Sequence, residues 1–276
     1  MKILNKESLA DSETAKIKRI EVSAPEIASK VLPGQFVVIM VSEKGERVPL
    51  TVVEKDSVKG TIKLIFQEAG LTTKILGAMK IGDSLYSLAG PLGRPTQIRK
   101  YGKVILVGGG VGIAEIYPVA KAMKEAGNLI TIIIGARSKE LLILENELKK
   151  ISDEFYAATD DGSYGRKGFT TDILKDLLNK DKYDLAYSVG PLLMMKRSAI
   201  VTKRFDLKTI VSLNAVMVDA TGMCGCCRVT VGGKMYFSCV DGPEFDASLV
   251  DWEELIKRNK LYENKERHIC KLDKIK

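Results

Sequence analysis

Along the first hundred residues apolar and polar positions alternate in short runs at 17–22, 35–41, 51–54, 61–66 and 84–88, separated by Pro33-Gly34, Gly45, Lys59-Gly60 and Gly82-Asp83. Alternation bounded by turn residues predicts β-strands, and their regular spacing predicts a closed antiparallel barrel. One helical stretch at 71–79 interrupts the strands, and Gly90-Pro91-Leu92-Gly93 ends the region. From residue 104 the pattern changes. Val104-Ile105-Leu106-Val107 is wholly apolar, as in strands buried on both faces of a parallel sheet. A helix at 113–126, a strand at 129–134, a helix at 139–150, a strand at 155–159, a helix at 171–178 and a strand at 185–189 follow, which predicts a doubly wound α/β unit. Past Leu213-Asn214 come a loop rich in Gly and Cys, a ribbon at 229–231 and 235–238, and the turn Asp241-Gly242-Pro243. An amphipathic helix is expected over 247–258, with Leu249, Trp252, Leu255 and Ile256 on one face. The predicted fold class is a β barrel plus α/β, with a small C-terminal domain, divided at 1–98, 99–210 and 211–276.

Composition narrows the class without changing this division. A chain of 276 residues accommodates two domains and a small third. The sequence is 45% hydrophobic and 6% aromatic, ordinary for a globular enzyme, and it has no apolar run approaching the roughly 18 residues that a membrane span needs. Met1-Lys2-Ile3-Leu4-Asn5-Lys6 lacks the apolar core of a signal peptide, so none is expected. The net charge of +8 comes from lysines scattered through every segment. No basic run is interleaved with aromatics, so nucleic acid is not an expected partner. The charge suits solubility and attraction to acidic electron carriers. Four of the five cysteines lie within sixteen residues, which is not a disulfide framework for a chain of this size. A reducing cytoplasm is the expected setting, with Cys270 a bystander.

Three stretches carry candidate chemistry. The strand at 104–107 runs into Gly108-Gly109-Gly110-Val111-Gly112 and then a helix. In that order, glycines let a pyrophosphate approach the helix N-terminus, which is a dinucleotide-binding arrangement. Two further turns, Thr159-Asp160-Asp161-Gly162-Ser163 and Gly190-Pro191, fall at the carboxyl edge of the same sheet, where open α/β sheets bind ligands. Met194 and Met195 are expected in the core. In the barrel, Arg47-Val48-Pro49-Leu50-Thr51 begins a strand, where a guanidinium and a hydroxyl can face one ligand. Gly70, Thr72 and Thr73 open a helix whose free backbone N–H groups suit an anion, so a phosphate-bearing cofactor fits there. Against this stands the plainer reading of a solvated Arg and an ordinary helix cap.

The third stretch runs Asp219, Cys224, Cys227, Cys239, spaced Asp-x4-Cys-x2-Cys-x11-Cys. Three thiolates at this spacing are hard to explain as packing. Structural zinc takes four closed Cys or His ligands, and here the second Cys pair is missing and His268 is far downstream. The C-x4-C-x2-C pattern with a distant fourth Cys is that of plant-type [2Fe-2S] sites, and Asp219 falls where its first Cys would stand. Gly222 and Gly225 suit a loop that wraps a cluster closely, with Cys226 turned away. A zinc knuckle and a metal-free redox pair are the alternatives.

The order of these parts resembles the ferredoxin-NADP reductase superfamily. RVPLT, GPLG, GGGVG, TDDGS with Gly165 and Gly168, VGPLLMM, SLNAVMVDATGMCGCC and CVDGPEF carry the resemblance across nearly the whole chain. Within the superfamily the chain is most similar to the small subunits of NADH-dependent reduced ferredoxin:NADP oxidoreductases. Electron-transfer subunits of dihydroorotate dehydrogenase B are close cousins, with cysteine where Asp219 stands here. The sequence departs from the superfamily's Arg-x-Tyr-Ser/Thr motif by displacing the hydroxyl one position, and Ala114-Glu115 replaces the usual small-residue–Pro pair.

The resemblance implies FAD, NAD(H) and a [2Fe-2S] cluster. It implies that Arg47, Pro49, Leu50, Thr51, Gly70, Thr72 and Thr73 hold the flavin nucleotide, and that Gly109, Gly110 and Gly112 lie against the NAD pyrophosphate. Asp161, Gly190 and Pro191 fall near the nicotinamide half, and Asp219, Cys224, Cys227 and Cys239 are the iron ligands. Arg137-Ser138 after the second strand would by general rules favour a 2′-phosphate, whereas the resemblance implies NAD(H), which is the reading adopted. It implies a larger flavin/iron-sulfur subunit as partner in a heterodimer, ferredoxin and NADP(H) reached through that partner, and electron bifurcation by the pair. A non-catalytic metal-binding adaptor is the rival of another class.

Overall fold

The computed structural model describes residues 1–261. His268 and Cys270 lie outside them.

The N-terminal sheet contains β1 (Ile3–Asp11), β2 (Lys16–Ser23), β3 (Phe36–Met40), β4 (Val48–Asp56), β5 (Thr61–Gln67) and β6 (Ser87–Leu92), all antiparallel, in the order β1-β2-β5-β4-β3-β6. Backbone bonds join the start of β1 to the segment before β6: Ile3 N–H to Asp83 O at 2.9 Å, Gly82 N–H to Ile3 O at 2.8 Å and Leu85 N–H to Met1 O at 2.9 Å. The expected barrel is thereby closed. Ile20, Val22, Ile62, Leu64 and Phe66 point inward, while Ile17, Val53 and Ile65 point out against the next domain. Two short helices, α1 (Pro25–Lys30) and α2 (Leu71–Ala78), plug the barrel, Leu76 of α2 lying fully buried in its core.

The second sheet has the order β10-β9-β8-β7-β11-β12-β15. It is formed by β7 (Lys103–Gly109), β8 (Leu129–Ala136), β9 (Glu154–Thr159), β10 (Arg166–Lys167), β11 (Leu185–Val189), β12 (Thr209–Ser212) and β15 (Glu244–Asp246). All neighbours are parallel except the edge pair β12/β15. Helices α3 (Gly112–Glu125) and α4 (Glu145–Ile151) cover one face, and α5 (Thr170–Lys180) and α6 (Leu192–Lys203) the other. Ile113, Ile116, Val119, Ala120 and Met123 of α3 recur at helical spacing and are all buried. Burying each of the larger side chains contributes roughly 1.5–3 kcal/mol.

A ribbon of β13 (Arg228–Val231) and β14 (Lys234–Phe237), a single turn α7 (Ser238–Asp241) and the terminal helix α8 (Trp252–Asn259) make up the rest. A third apolar cluster joins Phe36 and Val38 of the barrel to Met195 and Ala199 of α6 and to Cys227, Val229 and Cys239. The cysteine loop is therefore packed where the barrel and the parallel sheet meet.

Several expectations need correction. The helix expected at 139–150 is broken into a 3-10 turn at Lys139–Leu141 and α4, with Leu144 in a left-handed conformation at φ 55°. Leu141, Ile143 and Leu144 are all buried, and a continuous helix would turn part of that run to solvent. The terminal helix begins at Trp252, not 247. Val250 bridges Val231, Ala247 N–H bonds Thr209 O, and Asp251 caps the helix by accepting from Glu254 N–H at 3.0 Å. Leu249 is consequently exposed instead of on the packed face. The strand expected at 84–88 starts at Ser87, Ser84 serving the barrel closure instead. Strands β1 and β15 and helix α1 were not expected from the pattern, because their alternation is weak or their length is below one clear period.

Candidate functional site

The glycine turn is built by close approach of two strand ends. β7 ends at Gly109, Gly110 has φ 57°, and Gly112 starts α3. A Cβ on Gly112 would lie 2.6 Å from Val189 O and 2.8 Å from Gly190 N, and one on Gly190 would lie 2.9 Å from Gly109 O. The turns after β7 and β11 touch through backbone, which only residues without Cβ allow. Above them opens a cavity of about 500 Å³ lined by Gly109, Gly110, Arg137, Asp160, Pro191 and Arg197, among others. Gly109, Gly110 and Pro191 thus share one cavity wall, with Gly112 and Gly190 supporting it from behind.

Asp161 sits elsewhere. Its exposed carboxylate accepts from Ser163 N–H at 2.9 Å and Ser163 Oγ at 2.7 Å, which holds its pKa below the ordinary value. It shapes the loop, while its neighbour Asp160 faces the cavity. Of the two methionines, Met195 is fully buried as expected, whereas Met194 also lines the cavity. Asp160 belongs to the turn expected at the ligand edge, whereas Arg197, whose guanidinium lies 5.1 Å from the Phe169 ring, is a cavity residue that sequence reasoning missed, as is Phe169. The signal for Phe169 was its place just after β10, and Arg197, inside α6, carried none.

A second cavity, of about 240 Å³, lies between the barrel and the start of α3. Pro49, Leu50 and Thr51 of β4, Thr73 of α2, and Val111 and Glu115 of the second domain line it. Gln67 lines both cavities. Arg47 is exposed just before β4. The two hydroxyls of α2 are engaged locally: Thr72 Oγ1 donates to Glu46 at 2.8 Å, while Thr73 Oγ1 accepts from Gly70 N–H and donates to Gly70 O, each at 3.0 Å. Glu115 was noted in the sequence only as a departure from the usual pattern. Burial pushes its carboxyl up to about 7, against an opposing interaction with the Thr51 hydroxyl.

In the cysteine loop, Cys227 and Cys239 are buried with their sulfurs 3.2 Å apart. Burial, and then the hydrogen bond with Cys227, push the Cys239 thiol up to about 12, while the Gly222 N–H directed at the sulfur acts the other way. Cys224 is exposed, and its thiol neighbours Cys226, which is not turned away from the loop as expected. Asp219 accepts from Thr221 Oγ1 at 2.6 Å and from Cys224 N–H at 2.7 Å. The Thr221 hydroxyl and N–H hold its carboxyl well below the usual carboxylate range. Among the described residues, no three acidic, Cys or His side chains converge as a metal site. The four predicted ligands are thus one buried sulfur pair and two members of the adjoining exposed loop.

The donor set nevertheless fits an iron-sulfur cluster. Two adjacent buried thiols are of little use to packing and suit deprotonation by a metal. Ala220, Gly222 and Gly225 take positive φ of 63°, 86° and 65°, folding the loop tightly around Cys224. Arg258 of α8 donates to Cys226 O at 3.1 Å and Asn259 to Asn214 O at 3.0 Å, so the terminal helix packs on the loop of its own chain.

Comparison with known proteins agrees with this construction. A barrel joined to this parallel sheet is the fold of ferredoxin-NADP reductases: the enzyme from Plasmodium falciparum superposes with a TM-score of 0.59 at 16% identity, over 73% of this chain and 88% of that one. Residues 106–199 match the oxidoreductase NAD-binding domain family, and residues 214–251 match the iron-sulfur cluster binding domain of dihydroorotate dehydrogenase B. The electron transfer subunit homolog of dihydroorotate dehydrogenase B from Thermotoga maritima is 49% identical over 89% of this chain and 87% of its own length. The chain belongs to this family of oxidoreductase electron-transfer subunits and their homologues. A solved NADH-dependent reduced ferredoxin-NADP oxidoreductase, studied for flavin-based electron bifurcation, matches at 45% identity with a TM-score of 0.91, over 98% of this chain and 96% of that one. Membership sets aside the adaptor reading, and the matched domains make the chain an oxidoreductase component with NAD-binding and iron-sulfur-binding parts. No described helix is long and apolar enough to cross a membrane.

Proposed function

We propose that the chain carries electrons between NAD(H) and a larger flavin/iron-sulfur partner subunit by way of FAD and a [2Fe-2S] cluster, as half of an electron-bifurcating heterodimer in the cytoplasm that acts on ferredoxin and NADP(H). The observation that carries this reading is the adjacency of the two cavities, which share Gln67 and flank the turn from Gly109 to Val111. FAD, when bound, supplies the conversion between hydride and single-electron chemistry.

The chain's own residues do the rest. Gly109, Gly110 and Gly112 leave room for a pyrophosphate at the N-terminus of α3, Gly190 and Pro191 complete the same wall, and Asp161 fixes the adjoining loop. Arg47, Pro49, Leu50 and Thr51 present a cation, an apolar edge and a hydroxyl to the flavin, with Gly70, Thr72 and Thr73 setting the nearby helix start. Asp219, Cys224, Cys227 and Cys239 supply the iron ligands, beside the apolar cluster that joins all parts of the molecule. The division at 1–98, 99–210 and 211–276 follows these three tasks.

The bifurcating reading is supported by the near full-length similarity to the oxidoreductase studied for that property, and by the oxygen ligand that Asp219 would provide. A second reading, the electron-transfer subunit of dihydroorotate dehydrogenase B, is favoured by the family matched at residues 214–251. Anaerobic capture of the native chain with its partner, followed by iron and flavin analysis, tests both. A partner that reduces ferredoxin with NADPH is expected. A partner that oxidises dihydroorotate moves the assignment to the second reading, and a folded, active complex without iron refutes both.

A further inference from the structure

Glu115 has no part in the function so far described. It lies in the first turn of α3 and looks across the domain junction into the 240 Å³ cavity, opposite Thr51 and Thr73. Among the described residues, no lysine, arginine or histidine lines that cavity. The titratable groups around it come from α3 itself and from β4, β5, β11 and β15. Tyr187 of β11 is fully buried and feels the charge of Glu115; its hydroxyl donates to Glu244 of β15 at 2.7 Å, and Glu244 also accepts from Thr96. Two residues along α3, Tyr117 lies beside Glu54 of β4, which is paired with Lys63. Glu115 is thus a carboxyl among hydroxyls and other acids, with the Thr51 hydroxyl and the N-terminal end of its helix favouring its charge.

We propose that Glu115 is the proton-binding partner of the redox cofactor in this cavity, taking up one proton from solvent when the cofactor is reduced and releasing it when the cofactor is oxidised. The inference rests on the proposal above that Pro49, Leu50 and Thr51 hold the flavin, since these residues share the cavity with Glu115. Electrons delivered to a flavin here add negative charge within a small cavity whose described lining holds no cation, Arg47 standing exposed before β4, and the titratable group on that lining is this carboxyl. Its elevated pKa, near neutrality through burial, leaves it free to do so under ordinary conditions. The balance is one proton from water and one carboxylate converted to a carboxylic acid, beyond the hydrogen that the flavin itself acquires. Glu115 acts as a positioning residue for charge and need not touch the reacting atoms.

The test is a spectroelectrochemical titration of the flavin in the full-length chain carrying FAD, for the wild type and Glu115→Gln, from about pH 6 to about pH 9. Above about pH 7 the wild-type midpoint potential is expected to fall more steeply than that of the variant, by about 30 mV per tenfold change in proton concentration, which is one proton per two electrons. Identical slopes in two flavin-loaded proteins overturn the role of Glu115 and leave the flavin assignment standing. A folded wild type that takes up no FAD removes the assignment and the inference together. Should Glu115→Gln fail to fold, redox difference infrared spectra of wild type labelled at glutamate decide the matter. A carboxylic-acid band that grows on reduction supports the inference, and its absence overturns it.

Discussion

The glycine turn and the cysteine loop, which lie in the parts matched to NAD-binding and iron-sulfur-binding domains and both serve cofactors in the function proposed above, are built from different material. At the turn, function resides in backbone: Gly109, Gly112 and Gly190 are held by contact between two strand ends, and the sheet that fixes them is buried on both faces. In the loop, function resides in side chains placed by two separate means. Cys227 and Cys239 sit in an apolar cluster shared with the barrel, whereas Cys224 and Asp219 hang on a loop whose shape is set by its own hydrogen bonds. A site made of backbone inherits the rigidity of the sheet. A site made of donors is only as ordered as the packing behind each one.

The sharpest way to break this contrast is to remove one donor of each kind. Cys239→Ser should abolish iron binding and lower stability as well, because it leaves a hydroxyl in a buried apolar site, at a cost of about 1–3 kcal/mol. Cys224→Ser should lose iron with little effect on the melting temperature of the cluster-free chain, since the residue is exposed. Iron content and thermal unfolding, measured together, distinguish them, and equal loss of stability would erase the distinction drawn here.

Glu115 supplies a comparable test on the backbone side. Its folded pKa of about 7 lies above the unfolded carboxylate value, so the folded state binds the proton more tightly. Stability conferred by this group is therefore greatest at acid pH and is lost as pH rises through 7, by up to about 3 kcal/mol if the burial is fully felt. Glu115→Gln should remove that loss, so that the variant gains on the wild type as pH rises in denaturant titrations. Parallel stability curves would show that cavity water already screens the charge.

Gly112→Ala places a Cβ 2.6 Å from Val189 O, and the expected cost is about 1–3 kcal/mol from forcing the two turns apart. Calorimetric titration with NADH should show affinity reduced at least about tenfold, while iron content stays unchanged. The smallest effect belongs to Asp219→Cys. Iron should be retained, and the cluster midpoint potential should shift, because an oxygen ligand donates differently from a thiolate. A potential unchanged within error would count against Asp219 as a ligand.

Much of this could be read from the chain alone wherever one residue type answered one local demand. The apolar run at 104–107 and its glycines announced a buried parallel strand and a tight turn into a helix. Cysteine spacing announced the metal loop, and alternation announced the barrel strands. Those signals are local, since each depends on the period of the backbone or the reach of one loop.

What only the tertiary structure decided lies between elements distant in sequence. The apolar run at 141–144 reads locally as part of a helix, and contact with the α3 side of the sheet broke that helix instead. Glu115 opposite Thr51, Arg197 beside Phe169 and Arg258 on Cys226 O are pairings across 64, 28 and 32 positions. The terminal helix found its partner in the same way, by packing against its own cysteine loop. Burial and through-space charge arise when the chain closes on itself, and no window of sequence contains them.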